Sequence, residues 1–396
     1  MKVLIIGGGA SGMMAALTAA QDPNNTVTLL ERQNRVGRKL LATGNGRCNL
    51  SNLHCDVSHY HGSDPAFVEP ALVRFPVEHT LSFFKSLGLL TVAEPSGKIY
   101  PFSNQANSVV DVLRFALTRL HVDVRCGCEV LSIGKKARGY NVKTQEEAFF
   151  CDKLIISCGG AAGSKLGGTD FGYRLLSSMG HTSSPIAPAL VQLKTDTSYT
   201  RALKGVRADA GLTLKRNGCN ILENRGEIQF TDFGISGPAV FEISRHAQAG
   251  DLVLLDLLRP MDEEELTHFL LHKQALSAEE PAEDFLTGLL HNRLGRVVIQ
   301  AGGWPLAQKV SLIDCRKLAH LIKYFPLPVA GLMGLEQAQV TVGGILTSEF
   351  RADTLESRLH PGLFATGEVL DIDGDCGGFN LQWAWSSGML AGQLGG

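Results

Sequence analysis

The sequence lacks an excess of charge of either sign. Lys and Arg together number 37, Asp and Glu number 39, and the formal net charge is −2. Proteins that bind the phosphates of nucleic acid usually carry a basic patch or a basic overall balance. We therefore expect a small-molecule substrate and no nucleic-acid partner, while the composition leaves the oligomeric state open.

Long apolar runs and paired cysteines are also missing. No stretch offers about 18 uninterrupted apolar residues, the length of a membrane-spanning helix. Residues 3–14, VLIIGGGASGMM, lack the basic start and continuous apolar run of a signal peptide. The nine cysteines include no C-x-x-C pair, and no cluster has metal-ligand spacing. The sequence predicts a cytoplasmic protein with no membrane partner, metal or disulfide framework.

Glycine is abundant, and one glycine-rich turn has a defined spacing. The apolar run KVLII predicts a strand, GGGASG follows it, MMAALTAAQ predicts a helix, and TVTLLE predicts a second strand. Gly7, Gly9 and Gly12 lie in the first turn of this βαβ unit, and Glu31 ends the second strand nineteen residues after Gly12.

This spacing is typical of a dinucleotide-binding turn. The first glycine permits the tight turn, the second lets a pyrophosphate approach the backbone, and the third lets helix and strand pack closely. The acidic Glu31 favours the unphosphorylated ribose of FAD or NAD. The alternative is a glycine-rich turn with a structural role only. The predicted cofactor contacts here are Gly7, Gly9, Ala10, Ser11, Gly12, Glu31 and Arg32.

The pattern of predicted elements changes along the chain. Strands mixed with helices predict an α/β domain over 1–188, and short apolar or alternating runs predict an antiparallel β-domain over 189–259 with a return segment at 326–335. Residues 260–325 predict a helical insertion. Strand-and-glycine segments return at 336–396, so we expect the first domain to be discontinuous.

Some turns and helix ends have local signals. Asn217-Gly218 is typical of a two-residue hairpin turn. Asp262, three residues before Glu265, predicts a capping box at a helix start. Residues 283–294, EDFLTGLLHNRL, predict a further helix, and CNILEN and GEIQFT predict two separate strands.

A second glycine-rich segment is basic. Residues 35–52, RVGRKLLATGNGRCNLSN, contain Arg35, Arg38, Lys39 and Arg47 among three glycines. Cations beside exposed backbone N–H groups suit an anion. A solvated basic loop is the alternative interpretation.

These motifs resemble, in order, those of a bacterial flavoprotein family that includes aminoacetone oxidase and a 3-dehydro-bile-acid reductase of conjugated steroid alkenes. The resemblance covers nearly the whole chain. Its motifs are GRKLLATGNGRCNLSN, GKIYPFS, ALKGVRADAGLTL, TDFGISGPAV, PLPVAG, EQAQVTVGGI and TGEVLDIDGDCGGFNLQWAWSSG.

The resemblance implies an α/β fold with a Rossmann-like FAD domain of the glutathione-reductase type. An antiparallel β-domain and a small helical domain are inserted into it, and the C-terminal motif closes over the flavin. The further cofactor contacts that it implies are Arg38, Lys39, Gly46, Arg47, Cys48, Asn49, Val130, Gly159, Gly160, Gly367, Glu368, Asp373, Gly378, Asn380, Leu381 and Gln382.

The C-terminal motif also has a physical interpretation of its own. A helix that begins near Asn380 directs backbone N–H groups and its positive dipole end at an incoming group, which suits the electron-rich side of a reduced flavin. The alternative is a buried C-terminal helix preceded by a glycine turn.

Tyr100 and Asn49 are the candidate catalytic residues. Tyr100 in GKIYPFS can donate a hydrogen bond toward substrate, as can Ser103, although a core tyrosine is an equal alternative. Asp232 occupies a position where many relatives have His, so the resemblance implies no histidine-dependent step. Trp383 and Trp385 are predicted to be packing residues.

The leading hypothesis is an FAD-dependent oxidoreductase that reduces a conjugated C=C bond of an apolar, steroid-like or bile-acid-like carbonyl compound. NADH or NADPH is the expected electron donor. No second G-x-G-x-x-G follows a strand, so such a donor would have to dock transiently in the flavin cleft, and this absence slightly favours an oxidase, which needs no nicotinamide. The alternatives are an amine oxidase that uses dioxygen, and a non-catalytic FAD-binding or RNA-associated protein.

Overall fold

The computed structural model describes residues 1–395 of the chain. Its α-helices, in chain order, are α1 (Ala10–Ala19), α2 (Arg38–Ala42), α3 (Glu69–Arg74), α4 (Val77–Ser86), α5 (Ala106–Arg119), α6 (Phe171–Ser178), α7 (Thr197–Thr200), α8 (Pro238–Ser244), α9 (Glu263–Leu276), α10 (Asn292–Ala301), α11 (Cys315–Lys323) and α12 (Phe379–Gly392).

The strands follow the same order. They are β1 (Lys2–Ile6), β2 (Thr26–Glu31), β3 (Ser51–Asn52), β4 (Tyr60–His61), β5 (Thr91–Ala93), β6 (Lys98–Pro101), β7 (Asp123–Cys126), β8 (Val130–Lys135), β9 (Tyr140–Thr144), β10 (Ala148–Cys151), β11 (Lys153–Ile156), β12 (Ala187–Ala189), β13 (Leu193–Thr195), β14 (Arg207–Arg216), β15 (Cys219–Phe230), β16 (Gly234–Ser236), β17 (Leu252–Asp256), β18 (Phe325–Leu332), β19 (Val340–Val342), β20 (Leu363–Ala365) and β21 (Asp373–Gly374).

One compact unit comprises residues 1–187 and the chain from residue 339 onward. Its central sheet has the strand order β20-β11-β1-β2-β7, and every pair in it is parallel. Ile5 of β1 lies opposite Ile155 on one side and Leu29 on the other, and all three are fully buried. Parallel strands covered on both faces need such apolar runs.

Helices α1 and α12 pack closely in this unit because glycines lie at their contact. A Cβ on Gly388 would lie 2.4 Å from the carbonyl oxygen of Ser11, and one on Gly392 would lie 2.7 Å from that of Ala15. The absence of a side chain lets the two backbones meet. This contact fixes the C-terminal helix beside the helix that follows the glycine-rich turn.

Residues 188–338 form the second unit. Its strands close a barrel in the order β13-β16-β15-β14-β17-β18, and Leu193 of β13 lies opposite Leu332 of β18 at the closure. The turn between β14 and β15 has φ +51 at Asn217 and +84 at Gly218, so the predicted hairpin turn is confirmed. The α/β fold class with an antiparallel insertion is also confirmed.

Two local predictions in this unit were wrong and one is confirmed. The segments CNILEN and GEIQFT form one long strand, β15, because Gly226 continues the pairing with β14. Residues 283–294 are α-helical only from Asn292, because Gly288 has φ +87, which a continuous α-helix does not allow. The capping box of Asp262 and Glu265 is present at the start of α9.

Within residues 1–395, no helix is long and apolar enough to cross a membrane. The same part of the chain contains no group of three or more His, Cys, Asp and Glu side chains placed to hold a metal ion.

Candidate cofactor and active site

The glycine-rich turn joins β1 to α1. Gly7 has φ +107, and a Cβ on it would lie 2.4 Å from the carbonyl oxygen of Ser157. A Cβ on Gly12 would lie 1.9 Å from the carbonyl oxygen of Gly7, so both positions exclude side chains. At Gly9, apart from the glycine and its neighbours along the chain, no atom of residues 1–395 lies within 4 Å of the Cβ position. The turn is therefore packed against β11 and open at the start of α1, where a phosphate would bind.

Glu31 is held at the end of β2 by two backbone donors. Its Oε2 accepts from the Gly8 N–H at 2.8 Å, and its Oε1 accepts from the Gln33 N–H at 2.7 Å. A carboxylate oxygen has two lone pairs, so both oxygens retain capacity for a hydroxyl donor. Four predicted contacts line the pocket beside it, namely Gly7, Glu31, Arg32 and Val130.

Three of the four cations in the basic segment have intramolecular partners. The pairs are Arg38 with Gln33 at 2.6 Å, Lys39 with Glu368 at 2.6 Å, and Arg47 with Glu94 at 3.2 Å. The segment is therefore less cationic toward a ligand than its composition indicates. Its more direct structural effect is to tie distant parts of the chain together.

Glu368 organises the region around the turn that follows β11. Its Oε2 pairs with Lys39, and its Oε1 accepts from the Thr341 N–H at 2.8 Å. A Cβ on Gly160 would lie 2.6 Å from Glu368 Oε1, so this position has no room for a side chain. Thr341 Oγ1 accepts from the Ala162 N–H at 2.9 Å and completes the network.

Other predicted glycines have left-handed backbone conformations. Gly367 has φ +74, and its Cβ would lie 2.7 Å from Ser11 Oγ, which brings the C-terminal motif to the start of α1, where Ala10 begins the helix. Gly46 has φ +85 and Gly159 has φ +68. Apart from each glycine and its neighbours along the chain, no atom of residues 1–395 lies within 4 Å of either Cβ position. Backbone at both places is accessible to a flat ring or chain.

Helix α12 begins immediately after Gly378, which has φ +106 and approaches β3. A Cβ there would lie 2.4 Å from the carbonyl oxygen of Ser51. Among residues 1–395, no side chain caps the helix start. Asp373 is fully buried in β21 opposite His61, and Leu381 is partly buried in the first turn of α12. An uncapped helix start can offer backbone N–H groups to a ligand.

The side chains of Asn380 and Gln382 are engaged within the protein. Asn380 Nδ2 donates to the Gly374 carbonyl at 2.7 Å, and its Oδ1 accepts from the Gly374 N–H at 2.8 Å. Gln382 is fully buried, accepts from Ser51 Oγ at 2.6 Å and donates to Thr80 Oγ1 at 2.8 Å. Both side chains shape the loop before α12, so a ligand would meet the backbone at these positions.

Asn49 and Tyr100 lie close together around Gly44. A Cβ on Gly44 would lie 2.8 Å from the backbone nitrogen of Asn49 and 3.3 Å from Tyr100 Cε1. Asn49 Oδ1 is buried and has no hydrogen-bond partner among residues 1–395. The Arg47 guanidinium lies 4.0 Å from the Tyr100 ring centroid. Burial raises the pKa of Tyr100, and Arg47 offsets part of that rise, so the phenol stays protonated near neutral pH.

Cys48 and the two C-terminal tryptophans support this region. Burial raises the pKa of the Cys48 thiol to about 12, despite a hydrogen bond with Thr43, so the thiol is a poor nucleophile. Trp383 and Trp385 are buried, and Trp385 Nε1 donates to the Leu50 carbonyl at 2.9 Å. The tryptophans therefore lie in the core, as predicted.

Two other residues considered from the sequence have local partners. Ser103 Oγ lies 2.7 Å from Ser108 Oγ at the exposed start of α5. Asp232 forms an exposed ion pair with Lys204 at 2.7 Å in the second unit.

Sequence reasoning missed a cluster of His59, His61 and Asp375. His59 Nδ1 lies 2.9 Å from Asp375 Oδ2, and His61 Nε2 lies 2.7 Å from Asp375 Oδ1. The spacing of the two histidines, one on each side of Tyr60, was the only local signal. The carboxylate lies more than three hundred residues away in the chain, so only the pairing of β4 with β21 reveals the cluster.

The residues present fit FAD. The start of α1 is open for a pyrophosphate, and the Glu31 pocket offers acceptors for ribose hydroxyls. Asn49 Oδ1 is a buried acceptor in need of a donor, which a flavin ring N–H or a ribityl hydroxyl would supply. An acceptor left unpaired costs about 1–3 kcal/mol, so its pairing would favour the bound cofactor.

Comparison with known proteins agrees with this geometry. A family model described as HI0933-like protein Rossmann domain matches residues 1–394. The 3-dehydro-bile acid delta(4,6)-reductase of Clostridium scindens is 40% identical over 403 aligned residues, covering 99% of this chain and 98% of that protein. A ribosomal RNA dihydrouridine synthase of Escherichia coli is 32% identical, covering 98% of this chain and 96% of that protein.

A solved structure shows the same fold at low identity. The 3-ketosteroid delta1-dehydrogenase of Sterolibacterium denitrificans, in complex with 1,4-androstadiene-3,17-dione, is 12% identical with a TM-score of 0.50. The match covers 99% of this chain and 98% of that one. The predicted resemblance to a bile-acid reductase is confirmed, whereas the resemblance to aminoacetone oxidase stays a prediction.

Proposed function

The chain belongs to the HI0933-like family of FAD-dependent Rossmann oxidoreductases, and we propose that it reduces a C=C bond conjugated to a carbonyl group. The proposed substrate is an apolar 3-oxo steroid of the bile-acid type. The observation that carries this proposal is the near full-length match to the Clostridium scindens reductase.

The reaction class has support from both kinds of relative. The name of the first describes reduction of steroid double bonds, and the name of the second describes conversion of a uridine to a dihydrouridine. Each reaction adds two hydrogens across a ring C=C bond. Reduction of a conjugated C=C bond is therefore the most economical common chemistry, whichever substrate applies.

The proposed cofactor contacts divide between two ends of FAD. Residues of the glycine-rich turn between β1 and α1, with Glu31, Arg32 and Val130, would hold the adenosine and pyrophosphate. The uncapped start of α12 and the backbone around Gly46 and Gly159 would meet the flavin and its ribityl chain. When bound, FAD would be the two-electron carrier, and in its reduced form it would supply the hydride for the β-carbon of the substrate.

Tyr100 is the proposed donor toward the substrate carbonyl. As hydride reaches the β-carbon, negative charge develops on the carbonyl oxygen, and a protonated phenol can stabilise it. Its raised pKa keeps that proton in place at neutral pH. Asn49, next to Tyr100 around Gly44, is proposed to orient either the cofactor or the substrate through its amide.

A second substrate class is favoured by one specific observation. The Escherichia coli relative makes uridine in ribosomal RNA a candidate for the same reaction. The near-neutral charge of the chain argues for the steroid, because RNA binding draws on many Lys and Arg contacts to phosphate. The expected absence of a nucleic-acid partner stays a prediction.

The test is anaerobic stopped-flow absorbance of the purified holoprotein. Bound FAD is reduced with NADH or NADPH, the proposed transient donors, and then mixed with a 3-oxo-Δ4 steroid, with unmodified ribosomal RNA, or with buffer. The proposal predicts rapid recovery of the oxidised spectrum with the steroid only. Recovery with RNA alone would favour the second substrate.

Two further outcomes would contradict the reductase assignment. Reduction of the flavin by a primary amine, followed by peroxide formation in air, would identify an amine oxidase. A purified protein that binds no flavin would overturn the proposed function altogether.

A further inference from the structure

The cluster of His59, Asp375 and His61 has a geometry that can carry protons. One carboxylate accepts from two imidazoles, at 2.9 Å from His59 Nδ1 and at 2.7 Å from His61 Nε2. A neutral imidazole that donates one ring N–H keeps a lone pair on the opposite nitrogen. Nε2 of His59 and Nδ1 of His61 can therefore each take a proton without breaking a bond to Asp375.

The cluster is joined to the start of α12. Asp375 follows β21, and its N–H donates to the His59 carbonyl at 3.0 Å. The His59 ring stacks on Phe379, the first residue of α12, with centroids 4.1 Å apart. The Tyr60 hydroxyl donates to the Phe379 carbonyl at 2.9 Å. The cluster therefore contacts the first residue of α12, the helix whose start is proposed to meet the flavin. A change of charge on the cluster occurs beside that helix start.

The three side chains are open to solvent. Each is about a third exposed, at 32%, 32% and 29% for His59, His61 and Asp375. His181, by contrast, is a fully buried histidine paired with Glu349 in the same unit, and a proton has no open route to it. Solvent can therefore reach the cluster, whereas it cannot reach His181.

Neighbouring charges set the balance of the cluster. Burial raises the pKa of Asp375, but the hydrogen bonds from His61 and His59 outweigh it and the pKa is lowered, so the carboxylate stays ionised at neutral pH. Asp56 adds a second negative charge near His59, and Tyr60 and Asp373 lie on the paired strands β4 and β21. With neutral imidazoles the cluster carries one negative charge, and proton uptake removes it.

We propose that the His59–Asp375–His61 cluster takes up one proton when FAD bound at the start of α12 is reduced, and gives it up when the substrate is reduced. This inference rests on the proposed function. A negative charge beside the helix start opposes the added electron density, and a proton on the cluster removes that opposition.

The atoms and electrons of this cycle balance. A reduced nicotinamide transfers hydride, which brings two electrons and one proton, and the cluster binds a second proton from solvent. On the substrate, hydride forms a C–H bond at the β-carbon and the π electrons move to the carbonyl oxygen. The proton released by the cluster, directly or through water, matches the proton that the α-carbon then takes up.

The test is a redox titration of the bound flavin between about pH 5 and about pH 8, where histidine titrates. The pH dependence of the midpoint potential counts the protons bound per two electrons. The wild-type holoprotein is expected to bind up to one proton more per two electrons than the double variant His59→Asn/His61→Asn. The matched control is His54→Asn, an exposed histidine in the same segment, which should follow the wild type.

An equal proton count in wild type and double variant, with flavin bound in both, would overturn this inference and leave the proposed function intact. If the double variant does not retain flavin, histidine-selective 15N NMR of the wild type decides. An imidazole of the cluster, assigned with the single variants, should become protonated on reduction at constant pH. Unchanged histidine resonances would overturn the inference, and a wild type without flavin would overturn the function itself.

Discussion

At the scale of single residues, spacing along the chain predicted the groups that act through neighbouring backbone. Gly7, Gly12 and Glu31 could be recognised because a tight turn at a helix start needs those residue types at those intervals. The unpaired Asn49 Oδ1 and the bonds of Asp375 to His59 could not be predicted. Both depend on which distant segments the fold brings together.

Glu31→Gln tests the proposed adenosine pocket. The carboxylate accepts two backbone N–H bonds. In the glutamine variant, the side-chain NH2 group would face one of these two backbone N–H groups, and two donors cannot form a hydrogen bond. We expect a loss of about 1–3 kcal/mol, which corresponds to FAD binding about 5- to 150-fold weaker. Fluorescence titration of the apoprotein with FAD measures it.

The matched control for this variant is Glu146→Gln, an exposed glutamate in the same unit. It should bind FAD as the wild type does. Equal FAD affinity in Glu31→Gln and wild type would show that the pocket beside Glu31 is not the ribose site.

We expect His181 to make the stability of the first unit depend on pH. Its Nδ1 lies 2.8 Å from Glu349, and its Nε2 lies 3.0 Å from Ser357 Oγ. Ser357 Oγ already accepts the Leu359 and His360 N–H groups, so its hydroxyl hydrogen points to His181 Nε2 and the imidazole is neutral. A neutral buried imidazole disfavours a second proton.

Burial lowers the pKa of His181, and its hydrogen bond to Glu349 offsets only part of this shift. The unfolded chain therefore binds more protons than the folded one. The stability contributed by this group is complete above the unfolded pKa of about 6.5 and falls as the pH drops below it, by up to about 1.4 kcal/mol per pH unit.

Urea unfolding of His181→Asn measures this effect. The variant should be less stable at about pH 7 but should lose less free energy of unfolding than the wild type between about pH 7 and about pH 5. His272→Asn, an exposed histidine, should keep the wild-type pH dependence. The same pH dependence in His181→Asn and wild type would exclude His181 as its source.

At the scale of secondary-structure elements, local sequence rules predicted helix starts and turns better than they predicted the lengths of helices and strands. The capping box at Asp262 and the turn at Asn217-Gly218 were predictable because each is complete within four residues. The helix prediction over 283–294 was wrong because it followed the apolar pattern and gave too little weight to Gly288. The positive φ of this glycine is incompatible with a continuous helix. A pattern of apolar residues shows burial more reliably than it shows helix.

Gly388→Ala tests the contact of α12 with α1. The new Cβ would lie 2.4 Å from the Ser11 carbonyl oxygen, so the helices must separate. We expect a loss of about 1–3 kcal/mol in the free energy of unfolding, measured in urea, together with weaker retention of FAD.

Gly134→Ala, in β8, is the control for this overpacking. Its Cβ would meet only the Asn141 carbonyl oxygen, at 4.0 Å. The substitution should be close to neutral. A Gly388→Ala variant as stable as Gly134→Ala would show that the helix contact tolerates a side chain.

At the scale of the whole molecule, the return of strand-and-glycine segments after the helical stretch indicated a discontinuous first domain. The return segment at 326–335 was predicted from the strand pattern, but closure of the barrel by the pairing of β13 with β18 was not, because these strands are separated by more than a hundred residues. Neither strand carries a local signal for the other. Pairing of that kind is decided by the three-dimensional fold.

We predict that residues 188–338 fold as an isolated fragment. They contain a closed barrel and a hydrophobic core of their own, built from residues such as Phe230, Phe285 and Phe325. Circular dichroism with thermal unfolding should show one cooperative transition. A fragment without cooperative unfolding would mean that this unit depends on the rest of the chain for stability.

A single turnover under anaerobic conditions tests the proposed reduction of a conjugated C=C bond most directly. Holoprotein reduced photochemically, without nicotinamide, is mixed with a 3-oxo-Δ4 steroid, and the products are analysed by mass spectrometry. We expect one molecule of steroid, two hydrogens heavier because its C=C bond has been reduced, for each flavin reoxidised. Flavin that stays reduced until air is admitted, with the steroid unchanged, would contradict it.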